Sequence, residues 1–437
     1  MRDVRAQAYL SRRRWLRCRI QRGMRSRSQT FAWLTLGVIT QVSLCTTCSG
    51  ATWTAGPSVR ADPRRVALAL GDQPPHVTLA LSDLPQLVVP HHPRMCCAFG
   101  MDMHVDLGAL EVPFFEVGNV IGEDELHEHI YDLPTGALDS EVNGLIYTCR
   151  GGWIDTSHVR ENADNVLYLA LTIAPHLATG MTLEIPGFGA PTRLIIDPVP
   201  ARVLARETPL SVATAFAGWI AYRVGIWHEV MTWYGYEMVA GFSEQPSAFS
   251  PEDLYSNLLG IRLAMAALDE RAFGGSDDYN EAIAAYIDAA LDRLEAQPRI
   301  LGRGIMTGLD GAWWDSTRRL PDNLLVQHRR FPSRGETLAP WRAEDVETAP
   351  AMAVLRATLA EGCGETRTST LAIPGDVGRI SARNFAHLSW VPEGWADSTF
   401  PFREGAGRRV DEADLDGLVE QAHAAMELVF GAGFDRP

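Results

Sequence analysis

The chain has no lysine; all 39 of its basic residues are arginine, a pattern that points to an arginine-biased genome rather than to a function. Positive charge is also outweighed, 39 residues against 54 acidic ones, for a net charge of -15. Nucleic acid is excluded as a partner on that ground, since phosphate binding needs clustered positive charge. Long apolar runs are missing as well. Phe31 to Leu44 is free of charge, but a membrane-spanning helix needs about 20 apolar residues. No dinucleotide fingerprint and no phosphate loop occurs, so no nucleotide cofactor is expected. Internal repeats are absent. Cysteine is sparse, with seven in 437 residues.

What is present is an ordinary globular composition, 46% hydrophobic and 21% charged, enough to bury a sizeable core. Residues 1–28 carry ten arginines and one aspartate. The short apolar run follows, then the small residues Cys48, Ser49, Gly50 and Ala51. That order reads as a secretion signal over 1–50. An uncleaved anchor is the competing reading, and Cys45 and Cys48 are lipid-attachment candidates ranked below plain cleavage. Losing the leader takes ten positive charges and one negative from -15, leaving an acidic protein near -24. Residues 51–94, rich in Pro, Asp and Arg, read as a linker with one ordered patch at Val77 to Leu81. A single globular domain is expected over 95–437. The protein is expected to be exported, periplasmic or associated with the outer envelope, touching membrane only through a signal or lipid anchor.

Cys96, Cys97, Cys149 and Cys363 remain after the leader. An oxidising compartment can pair them, in three possible ways. Adjacent Cys96 and Cys97 would most easily bond elsewhere, for example to Cys149 and Cys363.

The periodicities give an α+β fold, a helix-dominated central core flanked by short strands and hairpins. GLIYTC reads as a buried strand, Gly151-Gly152 as a break, and Ile154 onward as a helix start capped by Asp155 or Ser157. Val159, Ala163, Val166, Leu167, Ala170 and Ile173 keep a helical stripe, with Arg160 and Glu161 facing outward. Gly180 to Pro198 suggests a hairpin. Thr208-Pro209 opens a long helix to about Gly235, apolar nearly all round and therefore core. Ser250-Pro251-Glu252-Asp253 opens another, with serine as cap and the acids on the positive end of the dipole. Further helices are expected over Ser276 to Ala296 and Asp411 to Phe430, and short strands at LLVQHRRF and TLAIPG. His127 and His129 read as surface histidines beside Glu125 and Glu128.

Six blocks carry a family resemblance: MCCAFG, NGLIYTCRGGWIDTSHVR, WHEVMTWYG, FSPEDLYSNLLG, DGAWWD and the LPD after it. Over about Met95 to Phe331 the chain resembles the domain-of-unknown-function family 4056, a group of exported bacterial proteins. The resemblance implies secretion or lipid attachment and brings no activity with it. One departure is that the family block starts with Arg or Pro before the cysteine pair, where Met95 stands here.

The chemistry therefore has to come from the residues, and the richest stretch is Trp227 to Gly260. A zinc protease needs HExxH. His228-Glu229-Val230-Met231-Thr232 has the first histidine and the glutamate but threonine at the second ligand. A metal site can still be assembled across elements from His158, His228, Asp253 and Glu252, since zinc catalysis takes three mixed His/carboxylate ligands and an open position. Glu229 is then the general base. Asp155, three residues before His158, can orient its ring. Against this stands the reading in which His228 and Glu229 are a core tie to Arg223 or Tyr255, and Asp155 a simple cap. Tyr255, Asn257, Trp313 and Trp314 are the substrate-binding candidates, the two tryptophans because they sit beside Gly311 in a loop-like context. Cys149 beside Arg150 offers a second chemistry, a nucleophile for acyl transfer.

The reading that follows is an exported metal-dependent hydrolase, with zinc the candidate ion, acting on an envelope polymer or peptide. Its alternatives are a non-catalytic envelope binding or scaffold protein and a cysteine-dependent acyl transferase. His158, His228, Glu229 and Glu252-Asp253 are expected to converge on one pocket. The mature N-terminus is expected after residue 44, where the uncharged run ends. Terminal sequencing of the exported protein checks this; a start at Met1 or Met24 contradicts it.

Overall fold

The computed structural model describes residues 60–436 except 79–86, 91–93, 95–96, 101–103, 108–109, 114–118, 127, 134–140, 186–190, 237–243, 271–272, 274–275, 321, 323, 333–334, 347–355, 357–358, 361, 365–366 and 392–408. The expected signal region, Cys45, Cys48, Cys96 and His127 lie outside the described residues. So does most of the Val77 to Leu81 patch.

The fold is α+β. Its helices are α1 (Pro63–Ala69), α2 (Thr156–Ile173), α3 (Ala201–Leu204), α4 (Pro209–Trp233), α5 (Asp253–Glu270), α6 (Ser276–Leu294), α7 (Arg299–Gly308) and α8 (Glu412–Phe430). Three small antiparallel pairs are β1 (His104–Leu107) with β2 (Leu110–Pro113), β7 (Thr337–Leu338) with β8 (Leu371–Ala372), and β9 (Asp376–Val377) with β10 (Ile380–Ser381). A further hairpin joins β3 (Leu145–Thr148) to β4 (Gly152–Asp155). The larger sheet is antiparallel, in the order β12 (Val410–Asp411), β11 (Ala386–Trp390), β6 (Thr192–Ile196), β5 (Met181–Ile185). Strands β5 and β6 are the expected hairpin, with Leu183 opposite Leu194.

Helices α2, α4 and α5 pack on one another at the centre. Thr208 caps α4 by accepting the Ser211 N–H, and Pro209 takes its first turn, the arrangement its fixed φ favours. With apolar residues around its whole circumference α4 has no solvent face, and it is buried along most of its length. Helix α5 is buried from Asp253 to Leu268. It crosses α2 at backbone contact: a Cβ on Gly260 would lie 2.0 Å from the Val159 carbonyl oxygen. That contact sets the second turn of α5 against the first turn of α2, beside His158.

Several expectations are corrected. Ile154, read as the helix entry, belongs to β4, and the helix begins at Thr156 with Asp155 as its cap, one of the two expected; the Gly151-Gly152 break is a hairpin turn, where Gly152 adopts φ +63° with its missing Cβ facing the Trp341 carbonyl. Within the stretch read as a linker, α1 buries Val66 and Ala69. Arg262 of α5 donates to the carbonyls of Leu68, Ala69, Gly71 and Gln73 and fastens it. Asp62-Pro63 is a capped helix start hidden in a Pro/Asp/Arg composition. LLVQHRRF forms only a bridge, Val326 to Trp314. Its two arginines turn inward, Arg329 to the Ala248 and Pro246 carbonyls and Arg330 to that of Ala339. Helix α7 has no counterpart in the sequence reading. His129 and Arg160 are buried, not exposed, because each finds acids: His129 Nε2 lies 2.8 Å from Asp164, and Arg160 Nε lies 3.8 Å from Glu141.

Cys149 and Cys363 form a disulfide, and Cys97 is a buried free thiol. The pairing of Cys149 and Cys363 with the Cys96-Cys97 pair is thus corrected. Cys149 is not a thiolate, which removes the cysteine-dependent acyl transferase built on it. Among the described residues, no helix is long and apolar enough to cross a membrane.

Gly260→Ala forces a methyl group into backbone, which neither helix can yield without separating. A loss of about 3 kcal/mol or more is expected, read as a fall in urea midpoint; an unchanged midpoint would refute the backbone contact.

Candidate metal centre

Three helix segments bring the polar groups together. The β3–β4 hairpin ends at Asp155, whose Oδ1 accepts the Ser157 N–H at 2.7 Å and so caps α2. His158 is in the first turn of α2, and Asp253 is the first residue of α5. His228 and Glu229 come from the last third of α4.

The resulting geometry suits a cation. His158 Nε2 is 3.3 Å from Asp253 Oδ1 and 3.9 Å from Asp155 Oδ2. One ligand atom from each of the three residues falls within 4.8 Å of the others, and all three residues are buried. Ligands at about 2.0–2.2 Å from a tetrahedral ion stand roughly 3.3–3.6 Å apart, so the trio is close to coordination spacing. His228 completes the neighbourhood, its ring centroid 6.0 Å from that of His158 and its plane turned by 69°. The trio differs from the expected ligand set: Asp155 joins it, while His228 and Glu252 stand outside it. Glu229 and Glu252 still lie close enough to feel the Asp253 charge.

The surroundings hold these groups in place. Asp155 Oδ2 also accepts the Cys97 N–H, and Ser256 Oγ accepts the Asp155 N–H. Asp253 Oδ2 accepts the Ser250 N–H at 2.7 Å, so the acid, not Ser250, caps this turn; the serine hydroxyl donates to Ser247 instead. Glu229 Oε2 accepts the Phe249 N–H at 2.7 Å. Phe249 has φ 55°, a costly conformation for a residue with a side chain. It persists because its backbone is held on both sides. Its N–H is fixed by Glu229, and its carbonyl accepts the Arg330 N–H at 2.7 Å.

Burial dominates the electrostatics. It pushes the carboxyls of Asp155, Glu229 and Glu252 above their ordinary range, and the neighbouring Asp253 charge pushes all three the same way. Burial, reinforced by His158, holds His228 down to about 3, so its imidazole is neutral and able to act as a ligand. Arg329 is the cation set against Asp253 and Glu229; burial lowers it to about 10, leaving it charged. Among the described residues, neither Glu252 carboxyl oxygen has a hydrogen-bond partner, although only 2% of the residue is exposed.

A narrow cleft reaches the centre, with His158, His228 and Asn257 among its lining residues. The other substrate-binding candidates lie elsewhere. Tyr255 donates its hydroxyl to the Ser369 carbonyl. Trp313 and Trp314 are buried in a second apolar cluster with Phe99 and Trp153. A loop position beside glycine suggests accessibility, but that loop is folded under. Among the described residues, no hydrogen bond ties Glu229 to Arg223 or Tyr255; Arg223 reaches Asp416 of α8.

Sequence reasoning missed Cys97, Arg329, Asn162 and Gly225. Asn162 Nδ2 donates to the His158 carbonyl and to Asn257 Oδ1. Gly225 and Gly260 carry a usable signal: a glycine inside a strongly helical pattern often marks a close approach. Cys97 and Arg329 carry none, since their contacts span 58 and 81 residues.

The raised carboxyls fix a pH dependence for the cation-free protein. A group with a raised folded pKa stabilises the fold below its unfolded value and loses that contribution as pH rises through the folded one. Glu161 at the cleft, raised by burial from 4.5 to about 7, carries this loss, and Glu229 and Glu252, raised by burial and by the Asp253 charge, add to it. His228, lowered from 6.5 to about 3, works the other way, but its contribution is complete once pH passes 6.5. Above that point the carboxyls are unopposed by it, and stability is expected to fall from about pH 6.5 upward. Urea midpoints of chelator-treated protein between about pH 6.5 and 8.5 check this; midpoints that rise with pH contradict it.

No curated protein and no solved structure matches the chain. A family model described as "Protein of unknown function (DUF4056)" matches residues 84–342, a span that includes every residue of the centre. That match covers more than half of the chain, and the protein belongs to this family.

Proposed function

We propose that the protein is an exported hydrolase that uses a divalent metal ion held by Asp155, His158 and Asp253. The observation that carries this reading is the spacing of three buried ligand atoms, His158 Nε2 at 3.3 Å and 3.9 Å from the two carboxylates. Three protein ligands leave an open position, the pattern of a catalytic rather than a structural zinc site. His228, kept neutral, is placed to add a fourth ligand or to bind substrate.

A bound divalent ion would supply Lewis acidity and lower the pKa of a coordinated water. The chain's own residues do the rest. Asp155 caps the helix that carries His158 and so fixes where that ring stands. Glu229 accepts the proton of the attacking water and returns it to the leaving group; burial equips it for this by making it a better base than an exposed carboxylate. The carboxyls also need positive charge in their own right, since buried anions are costly without it. Export is supported by the basic, then apolar, N-terminus and by the Cys149–Cys363 disulfide, which suits an oxidising compartment. The proposed substrate is an envelope polymer or peptide.

The purified mature protein is expected to hold one equivalent of metal by elemental analysis. His158→Ala and Asp253→Asn are each expected to lower metal affinity by at least about 100-fold with the fold retained. Glu229→Gln is expected to keep the metal and to slow hydrolysis of an amide or ester test substrate by about 10²–10⁴-fold. Wild-type protein that stays metal-free after incubation with zinc would end this reading.

A further inference from the structure

Among the described residues, one donor in the cleft above the centre has no acceptor. Asn162 Nδ2 faces the His158 carbonyl at 3.0 Å, and a carbonyl can only accept, so the Asn162 amide orientation is fixed. The same nitrogen donates to Asn257 Oδ1 at 2.6 Å, which fixes Asn257 in turn. Asn257 Nδ2 is therefore left over. It is buried and, among the described residues, without a hydrogen-bond partner, in a residue 1% exposed.

The surroundings define what it would receive. Asn257 shares the cleft lining with His158, His228 and Gly225. Gly225 leaves room at the amide: a Cβ there would stand 3.1 Å from Asn257 Nδ2. Among the described residues no arginine lines the cleft, and Glu161 does. Apart from the proposed metal ion, the described lining offers an anionic phosphate or sulfate an acid and no arginine, whereas a neutral carbonyl oxygen needs only one N–H donor. Asn162 and Asn165 add further amide groups.

We propose that Asn257 Nδ2 binds the carbonyl oxygen of a neutral amide or ester substrate, with Gly225 keeping the approach open. This rests on the hydrolase reading and names its substrate class as acyl compounds rather than phosphate esters. Asn257 selects the substrate; Asp155, His158 and Asp253 hold the metal.

The test uses the full mature chain loaded with zinc and titrated calorimetrically with acetohydroxamate and with inorganic phosphate. Wild type is expected to bind acetohydroxamate at least tenfold more tightly than phosphate. Asn257→Leu is expected to bind acetohydroxamate about tenfold more weakly, the upper range for one neutral hydrogen bond, with zinc stoichiometry unchanged. Gly225→Ala, which fills the approach without touching a ligand residue, is expected to do the same and guards against misfolding of the leucine variant. Unchanged affinity in both variants, or a preference for phosphate, overturns the proposal. Failure of the metal reading registers separately, as wild-type protein without stoichiometric zinc. In that event, NMR titration with N-methylacetamide, which needs no metal, still decides the role of Asn257: equal affinity in wild type and Asn257→Leu overturns it.

Discussion

Four carboxyl groups held out of water at one junction set the terms for the rest of the molecule. Asp155, Glu229, Glu252 and Asp253 are each at most 2% exposed. Ions in such a place need hydrogen bonds, counter-charge or protons. The fold provides the first by pointing helix starts and irregular backbone inward: Ser157 and Cys97 N–H groups for Asp155, Phe249 N–H for Glu229, Ser250 N–H for Asp253. It provides little of the second. The strained backbone at Phe249 fits this demand, because it keeps an N–H donor on Glu229.

A second buried ionic cluster shows what a balanced arrangement looks like in the same protein. Arg94 binds Glu141 at 2.6 Å and Asp164 at 2.9 Å, and His129 sits against Asp164. Burial there would raise Glu141, but Arg94 outweighs it and holds the carboxyl down to about 2. At the candidate centre the balance runs the other way, and Asp155, Glu229 and Glu252 are all raised. Helix α2 contributes to both clusters, Asp164 to the balanced one and His158 to the other. The contrast separates a structural network from one that has capacity for an added cation.

The helices were legible because their signals are local. Thr208-Pro209 is a start signal readable within two residues, and the Val159 to Ile173 stripe within one helix. The approach of His158, His228 and Asp253 to one another was legible for a related reason, since a polar pair on an apolar helix needs polar company and helix starts can offer it. What escaped were decisions made at long range. Arg160 looked like a surface residue until Glu141 and the Val142 carbonyl were placed beside it. Trp313 looked accessible until Phe99 and Trp341 packed on it. The helix at Pro63–Ala69 was masked by a composition that belongs equally to linkers.

The Cys149–Cys363 bond joins positions 214 residues apart. Everything that builds the centre after the β3–β4 turn, from Asp155 to Arg329, lies inside that covalent ring. During synthesis the ring-closing cysteine is the last of these parts to emerge, so the bond can only seal a chain whose centre has already had the chance to assemble. The disulfide can therefore form only once every one of these parts is present.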